Sequence, residues 1–470
     1  MANILLIEPP YRNKYPPLAL MKISTYHKML GDNVIFCKGK NVDLRKQKWD
    51  RIYVATLFTF YWKSTIEVIK YYKNSVENIS DIYCGGVLAT VLEKELYETF
   101  PVTITPGLLD KPGILGDNDI IVDTLPPDYS IIDLEQNPYL SYQYPVKDAY
   151  IAYATRGCVR RCKFCAVPTI EPCFKPYIDI KNQVNYIRNN YGEKKNLMLL
   201  DNNVLASKDF NQIIDDIKEL GFYKGAVFQY EKNGKICRSK RYVDFNQGVD
   251  PRLLTKEKCQ KLSEIAIKPL RIAFDHADEK SIKIYKEKVR LSAFYGIENL
   301  SNYILFNFED SPEDLYNRLK INIDLNEEFE KDGYKTRIFS FPMKYSPIGG
   351  PNCYNRKYIG ENWNAKYLRA IQCILNATHG VVGPKKSFFD RSFGKSLDDF
   401  MLILSMPEEM IISRAKHEET GMKIRWENDF LKLDLKSKLY ISILNQDFKA
   451  MNPEDTKKNI LKYYMKNALE

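Results

Sequence analysis

The sequence predicts an α/β protein in three parts: an N-terminal doubly wound, Rossmann-like sheet, a central partial barrel of about six strand–helix units, and a mainly helical C-terminal region. Short apolar runs alternate with amphipathic helical patterns over residues 1–104 and again over 148–350. That alternation is the signature of parallel strands covered by helices. Residues 105–147 are rich in Pro, Gly and Asp without sustained periodicity and read as a linker. From 351 to 470 the apolar period is helical.

In the first part, NILLIE, NVIFCKG, RIYVATLFTF and DIYCGGVLAT are strands. The helices between them are PLALMKISTYHKML, stopped by Gly31, then STIEVIKYYKN and VLEKELYETF. Sheets of this kind bind ligands beyond the carboxyl ends of their strands, where Glu8-Pro9-Pro10 and Cys84-Gly85-Gly86 belong. No G-x-G-x-x-G opens a helix, so a dinucleotide site is not expected, and the glycine pair reads equally well as a tight turn.

The central part opens with AYIAYAT as a strand and continues with IDIKNQVNYIRNNYG (helix), NLMLLD (strand) and NQIIDDIKELG (helix). After an exposed insertion, KGAVFQYEKNGKICRSKR, come YVDFNQGVD, PLRIAFD, NYILFNF and TRIFSFPMKY as strands. Their intervening helices are KEKCQKLSEIA, DEKSIKIYKE and PEDLYNRLKINIDLNEEFE. In the last part WNAKYLRAIQCILNATHG, SLDDFMLILSMPEEMIISRAKHEE and TKKNILKYYMK are helical, with Asn376–Gly380 a helix end and Phe388–Phe393 read equally as a partner or substrate surface or as aromatic packing between helices.

The chain of 470 residues carries 70 Lys and Arg against 60 Asp and Glu, a formal charge of +10. The charges are interspersed, so nucleic acid has only weak support as a partner. No charged-then-apolar leader follows Met1 and no apolar run reaches bilayer length, so a cytoplasmic protein without a membrane span is expected. Ten cysteines in such a chain do not suggest a disulfide framework. Seven lie singly; three are clustered in GCVRRCKFCAVP, residues 157–168.

A structural zinc site closes with four ligands, and only Cys173 is near enough in sequence to be the fourth. Three thiolates instead suit a cubane cluster with one iron left open. The spacing Cys158-x-x-x-Cys162-x-Phe164-Cys165, after a strand and before a helix, resembles the radical S-adenosylmethionine (SAM) superfamily. The resemblance implies a radical SAM barrel, a [4Fe–4S] cluster on Cys158, Cys162 and Cys165, and SAM on the open iron. Reductive cleavage would give a 5′-deoxyadenosyl radical that abstracts hydrogen from a substrate. It implies a low-potential electron donor such as flavodoxin or ferredoxin, which the cations Arg156, Arg160, Arg161 and Lys163 would favour.

The same resemblance suggests further cofactor-binding residues. Phe164 would lie beside the adenine. Asp201 or Asn202, in Leu200-Asp201-Asn202-Asn203, stands where relatives hold the SAM amino group with a different motif. Gln247, Asp250 and Arg252, in Asn246-Gln247-Gly248-Val249-Asp250-Pro251-Arg252, follow the next strand, although Asp250-Pro251 also suits a turn. Asp275, with His276, and Asn307 end later strands. The first part resembles the cobalamin-binding-type domain that precedes one radical SAM subgroup, over about residues 1–350 in all. It lacks D-x-H-x-x-G, and its lone histidine, His27, lies in a helical pattern, so cobalamin and methyl transfer stay open. One alternative is a methylthiotransferase-like enzyme on tRNA or ribosomal protein, for which Cys37 and Cys84 are too few further thiols. Another is a non-catalytic metal-stabilised binding protein.

Overall fold

The computed structural model describes residues 1–448 and 460–465. Its first sheet is parallel and comprises β1 (Asn3–Glu8), β2 (Asn33–Lys38), β3 (Arg51–Thr56), β4 (Ile82–Gly86) and β5 (Thr103–Thr105), in the order β2-β1-β3-β4-β5. β1 is an interior strand covered on both faces, which is why NILLIE is a continuous apolar run; Leu5 and Ile7 on one face and Ile4 and Leu6 on the other are buried. The core beneath these strands is completed by Val68, Ile69, Leu88 and Leu96 from the helices.

Residues 105–147 hold two short 3-10 turns, Val122–Thr124 and Tyr129–Ile132, and otherwise irregular backbone. Three parallel strands then form the second sheet: β6 (Ala149–Ala152), β7 (Asn196–Leu199) and, after the antiparallel hairpin β8 (Val227–Lys232) and β9 (Lys235–Lys240), β10 (Val243–Phe245). The order is β10-β7-β6, so the segments leaving all three strands emerge at one edge. The helix Ile180–Tyr191 starts where Asp179 caps Asn182 N–H and ends at Gly192.

By internal contacts the chain forms two units, Met1–Leu270 with Ser346–Arg356, and Arg271–Tyr345 with Lys357–Glu470. The boundary falls within β11 (Leu270–Arg271), inside the stretch expected to make one barrel. The expected strand PLRIAFD is regular only over those two residues, although Ile272 N–H still reaches Ser301 O at 2.9 Å.

In the second unit β12 (Asn299–Phe306) pairs in parallel with β13 (Arg337–Lys344). The helix Pro312–Lys331 begins at a reciprocal Ser311–Asp314 capping box, with Pro312 at a position where its missing N–H is harmless. The expected helix 396–419 is three pieces, Leu397–Ser405, Glu408–Ile412 and Arg414–Glu419. Pro407 explains the first break: it has no N–H to donate, and it forces Met406 to extended backbone (ψ 140°). Gly380 accompanies the end of the helix Ala365–Ala377, its N–H bonding Leu375 O at 2.7 Å, and Phe389 and Phe393 are core residues. Of the expected helix TKKNILKYYMK, residues 460–465 are described and hold a short 3-10 turn, Ile460–Tyr463; the rest lies outside the described residues.

Candidate active site around the cysteine loop

The loop is anchored first by Asp201. Where β7 ends, this side chain is fully buried and accepts hydrogen bonds from Ala154 N–H (3.1 Å), Thr155 N–H and the Thr155 hydroxyl (2.7 Å). Burial outweighs these bonds and pushes its pKa up to about 6. Asp201 thus ties the exit of β6 to the exit of β7, immediately before Cys158.

A second anchor lies under Gly157. Its φ of +76° suits glycine, and a Cβ would stand 2.4 Å from Cys173 O. That tight approach lets Gly157 N–H donate to Glu171 at 2.5 Å, while Asn202 Nδ2 donates to the same oxygen at 3.0 Å. Glu171 also pairs with Arg156 at 3.2 Å. Arg156, expected as a surface cation, is buried: its guanidinium lies 3.9 Å from the centre of the Tyr153 ring and 3.6 Å from Asp123, which Lys22 also meets. Charges from the first helix, the linker and the loop therefore compensate one another in one buried network.

Cys158, Cys162 and Cys165 are partly exposed and unbridged, and a turn closes between Cys162 O and Cys165 N–H at 3.0 Å. Arg160 N–H points at Cys158 Sγ from 3.4 Å and Asn203 Nδ2 from 3.6 Å. The Asn203 oxygen is buried with no hydrogen-bond partner. Three thiols, two N–H donors on one sulfur and a vacant buried acceptor suit an iron–sulfur cluster carrying a ligand with N–H groups. Phe164 is partly exposed between Cys162 and Cys165, and Cys173 is exposed. Among the described residues no three His, Cys, Asp or Glu side chains are grouped as one metal ion requires.

Beyond β10, Asp250 is buried and accepts from Arg160 Nε at 2.8 Å and Arg252 Nε at 2.7 Å. Burial opposes its ionisation, but the Arg252 and Arg160 bonds prevail and hold the carboxyl below its usual value. This side chain clasps the cysteine loop; Arg252 braces it and Gln247 is exposed. Asn246 accepts from Tyr15 at 3.0 Å.

Asp275 and Asn307 belong to the second unit. Asp275 is half-buried and lowers the cost of burying the nearby Arg318 charge, and His276 is exposed. Asn307 takes φ +70° and spends its amide on Tyr345 O, Tyr358 O (both 3.2 Å) and Gly360 N–H (2.7 Å).

In the first sheet, Glu8 is buried against Lys38 and Tyr144. Gly86 has φ +103° and packs where a Cβ would meet Thr56 O at 2.2 Å, so the glycine pair serves close packing. Both ring nitrogens of His27 are engaged, by Asp32 (2.8 Å) and Tyr53 (2.9 Å). The thiols of Cys37 and Cys84 are buried, each pushed up to about 12 by desolvation.

Residues 153–304, from the exit of β6 through the cysteine loop into β12, match the Radical SAM superfamily. The chain carries a radical SAM domain. It is accordingly an enzyme, and this radical SAM domain includes Asp201, Asn203 and Asp250 as well as the three cysteines. No curated protein matches the chain. A solved structure, Streptococcus suis SuiB bound to precursor peptide SuiA, is similar over 49% of this chain at 13% identity, with a TM-score of 0.31. The chain spans about half of that protein's length, 47%.

Two residues of the radical SAM domain escape a reading by motif. Asn203 faces Cys158, whereas its neighbours Asp201 and Asn202 are turned to Thr155 and Glu171. Glu171, 14 residues from Gly157, returns to it only because the loop doubles back. The clustering of Asp201-Asn202-Asn203 after a strand was the one available signal.

Proposed function

We propose that Cys158, Cys162 and Cys165 each hold one iron of a [4Fe–4S] cluster whose fourth iron takes SAM. The bound pair supplies reductive cleavage of SAM to methionine and a 5′-deoxyadenosyl radical, which abstracts hydrogen from a substrate. The convergence of Arg160 N–H and Asn203 Nδ2 on Cys158 Sγ, inside the stretch that matches the superfamily, carries this reading.

The chain's own residues provide position and shielding. Asp201 holds the entry of the loop through Ala154 and Thr155 N–H, Glu171 ties the exit back to Gly157 N–H, and Asp250 holds Arg160 within it. The vacant Asn203 oxygen would accept from the SAM amino group, and Phe164 would offer the adenine an apolar face. Arg161 and Lys163, both exposed, present positive charge to an acidic low-potential donor such as flavodoxin or ferredoxin.

Cobalamin-dependent methyl transfer gains no support from His27, whose ring is committed. A methylthiotransferase with a second cluster gains none from Cys37 and Cys84, which sit in the core. Among the described residues no helix is long and apolar enough to cross a membrane.

The test is 5′-deoxyadenosine formation by anaerobically reconstituted protein with SAM and dithionite. Formation that vanishes when all three cysteines become Ala supports the proposal. Zinc without iron in the purified protein, and no 5′-deoxyadenosine, would overturn it.

A further inference from the structure

The segment 224–241 contributes nothing to the cysteine loop. It forms the β8–β9 hairpin, paired from Val227↔Lys240 to Lys232↔Lys235, a two-stranded sheet separate from the others. Asn233 (φ 53°) and Gly234 (φ 72°) close it, the left-handed pair that a tight hairpin turn requires.

Side chains alternate across such a ribbon, so Phe228, Tyr230 and Lys232 share a face with Lys235 from the partner strand. The rings of Phe228 and Tyr230 lie 5.9 Å apart and 17° from parallel. Tyr230 is 40% exposed and Phe228 is partly exposed. Lys224, Lys232, Lys235, Arg238 and Lys240 are all exposed, and Glu231 is the one acid in the segment.

The geometry points to this face, with Phe228 and Tyr230 flanked by Lys232 and Lys235 at the tip, as a platform for single-stranded nucleic acid. Bases stack on the paired rings while the lysines meet phosphates. An acidic protein segment would match the charge but has no use for two parallel rings, which decides between the two. The hairpin enters the amino end of β10, whereas Asp250 follows its carboxyl end. The platform therefore lies at the opposite edge of the sheet from the cysteine loop and tethers the strand without presenting a base to the site. The inference stands independently of the proposed radical chemistry.

Fluorescence anisotropy of the full chain with a labelled oligouridylate tests it, beside polyglutamate of matched charge. Phe228→Ala with Tyr230→Ala is expected to weaken RNA binding by about tenfold or more. Lys232→Gln with Lys235→Gln is expected to reduce the slope of log affinity against log salt by about 1.4. Circular dichroism and melting should be unchanged in both variants, since the altered side chains stand on the hairpin. No RNA binding by the wild type at low salt, undiminished affinity in the ring variant, or equally tight binding of polyglutamate would each overturn the assignment.

Discussion

Asp201 offers the sharpest test of how the loop is held. Replacing it with Ala strands two backbone N–H groups and a hydroxyl in a dry position. At about 1–3 kcal/mol for each buried donor left unpaired, and with the hydroxyl free to turn, the loss is about 4 kcal/mol. Asp201→Asn is different, because it keeps the oxygen that accepts most of these bonds and carries no charge. The carboxyl titrates at about 6 in the folded chain against 3.8 ordinarily, so its folded value is raised. Its contribution is complete below the unfolded value and is lost as pH climbs through the folded one, by about 3 kcal/mol between pH about 4 and about 7. Asp201→Asn should therefore gain on the wild type across that window, while Asp201→Ala, about 4 kcal/mol below the wild type at pH about 4, should lie only about 1 kcal/mol below it by pH about 7. Denaturant unfolding of the metal-free chain at a series of pH values measures this. A gap between Asn and wild type that does not change with pH, or an Ala variant within about 1 kcal/mol of wild type at pH about 4, would refute the reasoning.

Three further outcomes are expected. Asn203→Leu removes the amide bond to Cys158 Sγ (3.6 Å), so the reconstituted cluster should keep its iron content and shift to a more negative midpoint potential in an anaerobic redox titration. Asp250→Asn loosens Arg160, and trypsin should cut after Arg160 or Arg161 faster than in the wild type; since Arg160 and Arg252 are well exposed, the stability loss should be only about 1 kcal/mol. Lys366 is buried with no hydrogen-bond partner, and desolvation brings its pKa down to about 8. Lys366→Met should stabilise the chain by about 3 kcal/mol at neutral pH, and the gain should fade as pH rises from about 8 toward 10.5, where the wild-type amine is neutral in both states.

The fold was legible wherever periodicity was strong. NILLIE reads as a doubly covered strand and is one, and PEDLYNRLKINIDLNEEFE reads as a helix and is one from Pro312 to Lys331. PLRIAFD and the stretch 396–419 read less truly, because strand length depends on a pairing partner and an apolar period continues across Pro407 even though the backbone does not. Arg156 shows the same limit for charge: grouped with Arg160, Arg161 and Lys163 it looks solvated, yet Glu171, Asp123 and the Tyr153 ring enclose it.

By itself the sequence determined the spacing of Cys158, Cys162 and Cys165, the aromatic before the last of them and the strand that precedes the loop. Those are local facts, set by residues a few positions apart. The tertiary structure decided which of Asp201, Asn202 and Asn203 meets a thiol, that Asp250 clasps Arg160, and that Glu171 returns to Gly157. Neighbouring residues in the turn that leaves β7 point in different directions, and only the packing of β7 against β6 and of the loop upon itself selects among them.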